Sequence, residues 1–314
     1  METRRLAHFI AIVDCGSLTR AAERMNIAQP ALSQQLAALE ASLGKQLVTR
    51  NRQGVNVTPA GRVLYRNAQT ILRQLKQMES EILAAGDHIS GHVSVGLPVS
   101  CAPILSLPLL RAVREKYPQI VLRLSENLSG LLGELILNNR LDIALLYSAH
   151  GSQGLVRTPL LIERLCLVKR PDQATTGQGD SMSVKEMAEM PLVLPSHSNG
   201  LRALVDAAFS RHGLTPHVVA EIDSLASLRA AAAAGLAATV LPRSAAGPDA
   251  TPLDVIEIVD PFIERMIVLC TPASVSDSEP VEAVKDLMMS VVRDLVQSGQ
   301  WRGVSLSQTG GFAS

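Results

Sequence analysis

Net charge is the first thing this 314-residue chain lacks: 29 Lys and Arg balance 29 Asp and Glu. The whole-chain charge therefore points to no nucleic-acid or membrane partner. A cysteine framework is missing too. Cys15, Cys101, Cys166 and Cys270 stand far apart, with no CxxC and no histidine at ligand spacing, which argues against both a disulfide scaffold and a zinc centre. The longest uncharged run, residues 93–110, is interrupted by Pro98, Pro103 and Pro108, so it reads as a buried strand followed by a helix rather than a membrane span. No charged, apolar and small-residue leader opens the chain, and a cytoplasmic location away from membranes is expected. Motifs of chemistry are absent as well: no GxGxxG after a strand, no GxxxxGK, no GxSxG and no HExxH. With them goes the expectation of an enzyme, a catalytic residue, a cofactor or a bound metal.

What is present is a chain too long for one ordinary core, 47% hydrophobic and 18% charged, which suggests two or three folded units. Its charge is unevenly spread. Residues 1–66 carry nine Lys or Arg against four acids, an excess of five that the remainder cancels. A basic head on a mildly acidic body is the pattern expected if only the head meets phosphate.

In that head Leu6, Phe9, Ile10 and Val13 recur at helical spacing, and the run stops at Gly16. Ser17 can cap a second helix with Leu18, Ala21, Ala22 and Met25 inside. Pro30 suits the first turn of a third, whose stripe is Leu32, Leu36, Leu39 and Leu43. The third helix offers Gln29, Pro30, Ser33, Gln34 and Gln35 near its start. Alone, such a polar face is a solvated surface; behind two short helices it is a reader of base edges, where a Gln amide pairs with adenine. Arg50, Arg52 and Gln53 lie in a basic wing before a short strand. Together with Thr58 and Arg62, the two wing arginines are expected on phosphates.

Thr58 and Pro59 open a helix that meets no breaker until Gly86. Leu64, Ala68, Ile71, Leu75, Met78 and Ile82 step along it by four and three, a heptad seam suited to self-association, though packing on its own domain remains the alternative. Beyond residue 91 strands alternate with helices, which predicts parallel, helix-flanked sheets. The tail from Gly299, rich in Gly, Ser and Gln, is expected to be mobile.

Residues 9–40, FIAIVDCGSLTRAAERMNIAQPALSQQLAALE, followed by TPAGRVLY at 58–65, resemble the signature of LysR-type transcriptional regulators. One departure is Ala28, where many members carry Ser, a change that removes a helix cap. The resemblance implies α/β architecture with an all-α-type winged helix-turn-helix head, a long linker helix and a two-lobed effector domain like a periplasmic binding protein. The divisions would be 1–58, 59–90 and 91–298, with lobe 1 at 91–162 and 265–298, lobe 2 at 163–264, and a tail at 299–314. Also implied are a dimer of dimers on double-stranded promoter DNA, activation or repression reaching RNA polymerase, and targets in nitrogen or amino-acid metabolism.

Three segments match the family's inter-lobe cleft: 98–101, 128–130 and 195–199. Candidate effector residues are Ser100, Cys101, Ser129, Gly130, Pro195, Ser196 and His197. Helix starts at Ser100 and Ser129 favour an anion such as a small carboxylate or nitrogen metabolite. Three alternatives stay open: the serines merely cap helices, the regulator is controlled through its own synthesis, or Cys101 acts as a redox-sensing thiol. A plain solute-binding protein would have no use for the basic head, and an architectural DNA binder none for the lobes.

Overall fold

The structure, a computed structural model, describes residues 2–51, 54–83, 89–147, 154–171, 181–247, 253–273 and 278–307. It divides into two compact units, 1–92 with 138–140, and 93–137 with 141–314.

The first unit begins with α1 (Thr3–Cys15), α2 (Leu18–Met25) and α3 (Gln29–Leu43). All three stop at a left-handed residue, Gly16, Asn26 and Gly44 with φ of 58°, 56° and 61°, where a backbone N–H closes the last open carbonyls. Ser17 Oγ accepts from the Arg20 amide at 3.4 Å, whereas Ala28 makes no side-chain cap and leaves α3 to start on Pro30. Phe9, Ile12, Leu18, Ala21, Ala22, Leu32, Leu36 and Leu39 share one core. Two expectations shift here. α1 buries Ile12, while Ile10 and Val13 stay at the rim, and Leu43 is 43% exposed because the whole last turn of α3 lies in solvent.

The wing is an antiparallel hairpin of β1 (Val48–Asn51) and β2 (Gly54–Val57), with Val48 opposite Val57. It docks back on the α1–α2 turn through the Val55 amide and Gly16 O at 2.9 Å. Gly54, at φ 131°, permits that approach, since a Cβ there would stand 2.4 Å from Gly16 O. α4 (Pro59–Leu83) follows, capped by Thr58, whose Oγ1 accepts from the Gly61 amide at 3.0 Å.

The second unit holds β3 (Gly91–Pro98), α5 (Ala102–Lys116), β4 (Ile120–Asn127), α6 (Ser129–Leu137), β5 (Ile143–Tyr147) and the long β6 (Leu155–Lys169). Next come β7 (Ser181–Ser183), α7 (Val184–Met187), β8 (Leu192–Leu194), α8 (Gly200–Ser210), β9 (Val218–Glu221), α9 (Leu225–Ala233) and β10 (Thr239–Pro242). The chain closes with β11 (Asp254–Val259), β12 (Glu264–Pro272), α10 (Glu279–Gln297) and β13 (Val304–Leu306). One core gathers Leu132, Ile136, Leu141, Ala144, Val268 and Cys270; another gathers Leu165, Leu167, Leu192, Leu194, Val205, Phe209, Val240 and Ile258. β6 and β12 run from one core to the other, antiparallel and paired, and so form the crossing between two lobes.

Two expectations are corrected. The sheets are mixed rather than parallel: β3 and β5 are parallel, as are β8 and β9, but β12 returns antiparallel to both β5 and β6 because the chain re-enters the first lobe in the opposite direction. β6 is one continuous strand from Leu155 to Lys169, since its first half serves lobe 1 and its second half reaches lobe 2. The tail is also ordered as far as Ser307. Trp301 is 1% exposed and β13 pairs with β6, with the Arg164 amide on Gly303 O at 2.9 Å and the Ser307 amide on Leu160 O at 2.8 Å. Burial of the indole and the β13–β6 backbone hydrogen bonds together offset the cost of ordering a short Gly- and Ser-rich segment. Residues 308–314 lie outside the described residues.

Candidate DNA interface and effector cleft

At the start of α3 the side chains sort by what the core already uses. Gln34 and Pro30 are exposed, while Gln29 and Ser33 are half-buried at the same end. Gln35 turns inward and hydrogen-bonds the buried His8 ring nitrogen, so its amide is not free to read a base. Thr58 is likewise committed. Its Oγ1 donates to Gln46 O at 2.7 Å and lies 3.1 Å from Leu47 O besides capping α4, which corrects its expected place on phosphate: the hydroxyl's one hydrogen is already given to backbone carbonyls. Arg62 is exposed and spends one nitrogen on Val57 O at 3.0 Å, leaving the rest of its guanidinium toward solvent beside the wing. Arg52 and Gln53 lie outside the described residues. So does the side chain of Arg50, whose backbone pairs with Val55 in the hairpin.

The α4 seam divides in two. Leu64 is partly buried against the helix-turn-helix core and Ala68 has no exposed surface, so both already pack within the protomer. Ile71, Met78 and Ile82 are 37%, 48% and 66% exposed, and Leu75 is half-buried on the same stripe. These four residues make a partly exposed apolar stripe at heptad spacing.

In the second unit the segments 98–101 and 128–130 meet at Tyr147, the last residue of β5. Ser100 Oγ bonds the Tyr147 hydroxyl, and the Tyr147 amide donates to Ser129 Oγ at 3.1 Å. Neither serine oxygen therefore caps its helix. The N-cap of α5 is Cys101, whose side chain makes no capping bond and lies 3.5 Å from the Tyr147 hydroxyl, which corrects the capping expectation for Ser100. Gly130 is exposed with no atom within 4 Å of a Cβ built on it, so no close backbone approach explains the glycine.

Two residues that the sequence reading passed over complete this cluster. Arg265 on β12 and Glu163 on β6 are directly opposite in the strand register and are 8% and 1% exposed. Glu163 Oε2 accepts from Arg265 Nε and stands 2.7 Å from Nη2 as well. Arg265 Nη2 also donates to Ser100 Oγ at 3.3 Å, and the guanidinium stacks 3.5 Å from the centre of the Tyr147 ring. Burial opposes the Arg265 charge, but the groups around it, Glu163 among them, outweigh burial and hold its pKa above the usual value.

The third segment, 195–199, is organised within its own lobe. Arg202 donates to Pro195 O at 3.1 Å, Asp206 at 2.9 Å and Glu221 at 2.9 Å, with His197 Nε2 3.2 Å away. Ser196 donates to Asp223 from both its amide and its hydroxyl, each at 3.1 Å. His197 is 71% exposed at the side chain. These groups answer one another's charges, and none of the polar contacts described here joins them to the Ser100–Tyr147 cluster.

Two family descriptions match the chain: "Bacterial regulatory helix-turn-helix protein, lysR family" over residues 3–62 and "LysR substrate binding domain" over residues 86–293. The chain belongs to the LysR family of transcriptional regulators. It is 42% identical over 309 residues to the nitrogen assimilation regulatory protein of Escherichia coli strain K12, covering 97% of this chain and 100% of that relative. A full-length OxyR variant from Pseudomonas aeruginosa shares the fold with a TM-score of 0.71 at 23% identity, covering 93% of this chain and 95% of that one. Full-length CbnR complexed with its target DNA gives 0.65 at 23% identity over 94% and 99%. The family is one of transcriptional regulators rather than enzymes, and no helix among the described residues is long and apolar enough to cross a membrane.

In this LysR-type regulator the redox reading of Cys101 fails on its surroundings. Burial, then the nearby Glu163 carboxylate, push the thiol up to about 12, so it stays protonated and a poor nucleophile at neutral pH. The start of α5 does not reverse this, because the sulfur has no exposed surface. A sequence signal for Glu163 and Arg265 did exist: Glu163 lies with Arg164 inside the otherwise apolar run LLIERLCLV, and Arg265 borders the apolar run MIVLC, and a charge in or against such a run needs a partner.

Proposed function

We propose that this LysR-type regulator binds promoter DNA as an oligomer and controls genes of nitrogen or amino-acid metabolism by activation or repression. The observation that carries the DNA reading is the exposed Gln34 at the start of α3, beside Pro30, on a head with five excess positive charges. Gln29, Ser33 and Gln34 read base edges, and Arg50, Arg52, Gln53 and Arg62 hold the backbone. The 42% identity to a nitrogen assimilation regulatory protein supports the choice of regulon. Self-association runs through Ile71, Leu75, Met78 and Ile82, giving a dimer that pairs into a dimer of dimers and works with RNA polymerase on the promoter. The effector domain is the seat of any response to a small carboxylate or nitrogen metabolite at Ser100, Ser129 and Gly130, with Pro195, Ser196 and His197 across the cleft.

Genome-wide mapping of bound sites, followed by gel-shift titration of the strongest at two salt concentrations, tests this. Salt-sensitive shifts at sites near nitrogen or amino-acid genes are expected. Bound sites without that enrichment would remove the regulon, and the absence of any sequence-specific shift would remove the regulator reading for this chain. Met78→Glu with Ile82→Glu places like charges in the seam. Light scattering should then show a smaller assembly, and operator affinity should fall at least tenfold as two half-site heads become separate binding events. An unchanged mass would move the interface elsewhere.

A further inference from the structure

We propose that Glu163 is a tethered anion that occupies the anion site of the inter-lobe cleft, so that the effector domain holds its state with no free small carboxylate bound. The inference rests on the reading of the second unit as the effector domain and adds what fills it.

Positive elements converge at Ser100. One is the Arg265 guanidinium, buried and 3.3 Å from Ser100 Oγ. Another is the start of α5, whose N-cap Cys101 is the residue after Ser100. The N-terminal end of a helix carries roughly half a positive charge. A guanidinium brought against such an end and away from water needs an anion, which an effector-binding cleft would take from solution. Here the anion is on the chain. The Glu163 carboxylate meets Nε and Nη2 at 2.7 Å, delivered by the register that sets it opposite Arg265.

That position is held from both sides. Glu163 lies where β6 crosses between the lobes, with β12 on one edge and β13 on the other, where Val304 is its partner. A carboxylate fixed in this way acts at a high local concentration that a free metabolite has to exceed. Stability alone does not account for the pair. Buried ion pairs gain little over an apolar pair of the same shape, and Glu163 Oε1 is buried with no hydrogen-bond partner among the described residues.

Removing the tethered charge should make the site receptive. Thermal denaturation of full-length wild type, Glu163→Gln and Glu163→Asp is followed against succinate, glutamate and inorganic phosphate, with chloride of equal ionic strength as control. The expected result is no midpoint shift beyond chloride for wild type, a saturable upward shift for Glu163→Gln, and a smaller one for Glu163→Asp, whose shorter side chain only partly withdraws the carboxylate. If Glu163→Gln does not fold, Glu163→Asp decides. Saturable stabilisation of wild type by any of the three anions, lost in Arg265→Met, would overturn the proposal by making Arg265 the receptor of a free ligand. Variants that ignore every anion would overturn it too, leaving the pair a purely structural contact. Operator gel shifts on the same wild-type preparation stand apart: their failure counts against the regulator reading and leaves the midpoint result as it is.

Discussion

Arg265→Met is expected to destabilise the effector domain by about 3–5 kcal/mol, the usual consequence of leaving one member of a buried ion pair alone. Glu163 is 1% exposed and has only Arg265 nitrogens as hydrogen-bond donors among the described residues. Without them it must stay charged in an apolar setting or take up a proton, and either costs free energy. Met keeps much of the Arg stem volume but removes the guanidinium that stacks on the Tyr147 ring, so the loss reports the charge and that stacking together. The same argument makes Glu163→Leu with Arg265→Met recover most of the stability, because an apolar pair has no desolvation cost to offset. Urea denaturation read by the fluorescence of Trp301 measures it. That is the single tryptophan of the chain, buried beside the crossing strands, and it reports this domain rather than the DNA-binding head. A single variant within about 1 kcal/mol of wild type would show that Glu163 finds another partner.

Gln34→Ala is expected to weaken binding to the specific operator by roughly 10- to 100-fold, the range of one lost bidentate base contact. Binding to unrelated duplex should remain. The reason lies in the division of labour on α3: Gln35 is held by His8, so Gln34 is the fully exposed amide at that end of the helix. Arg62→Ala makes the contrast. As a backbone contact it should weaken specific and non-specific duplex alike and reduce the slope of log affinity against log salt by about one. Fluorescence anisotropy with both duplexes at several salt concentrations separates the two. Equal losses on both from Gln34→Ala would take base reading away from that side chain.

The head was legible because its determinants are local. A helix stop at Gly16, a cap at Ser17, a proline opening α3 and a leucine stripe along it each act within a turn or two of the chain, and the tertiary structure had only to pack them. Where reading failed in the head, a long-range bond had intervened. Thr58 carries the signature of a cap, and nothing near it in sequence reveals that the same hydroxyl also reaches back to Gln46. In the seam the heptad spacing is real, yet periodicity cannot say which partner a stripe meets. Leu64 meets its own domain and Ile82 does not.

By itself the sequence determined the helix-turn-helix, the wing, the linker helix, the alternation of strands and helices, and the family, since these rest on spacing, caps and a contiguous motif. Only the tertiary structure decided the sense of the sheets, the ordered strap carrying Trp301 and the pairing of the buried Glu163 with Arg265. Glu163 and Arg265 are 102 positions apart. Periodicity carries no information across such a separation; strand pairing supplies it, by choosing one register out of many and placing the two charges face to face.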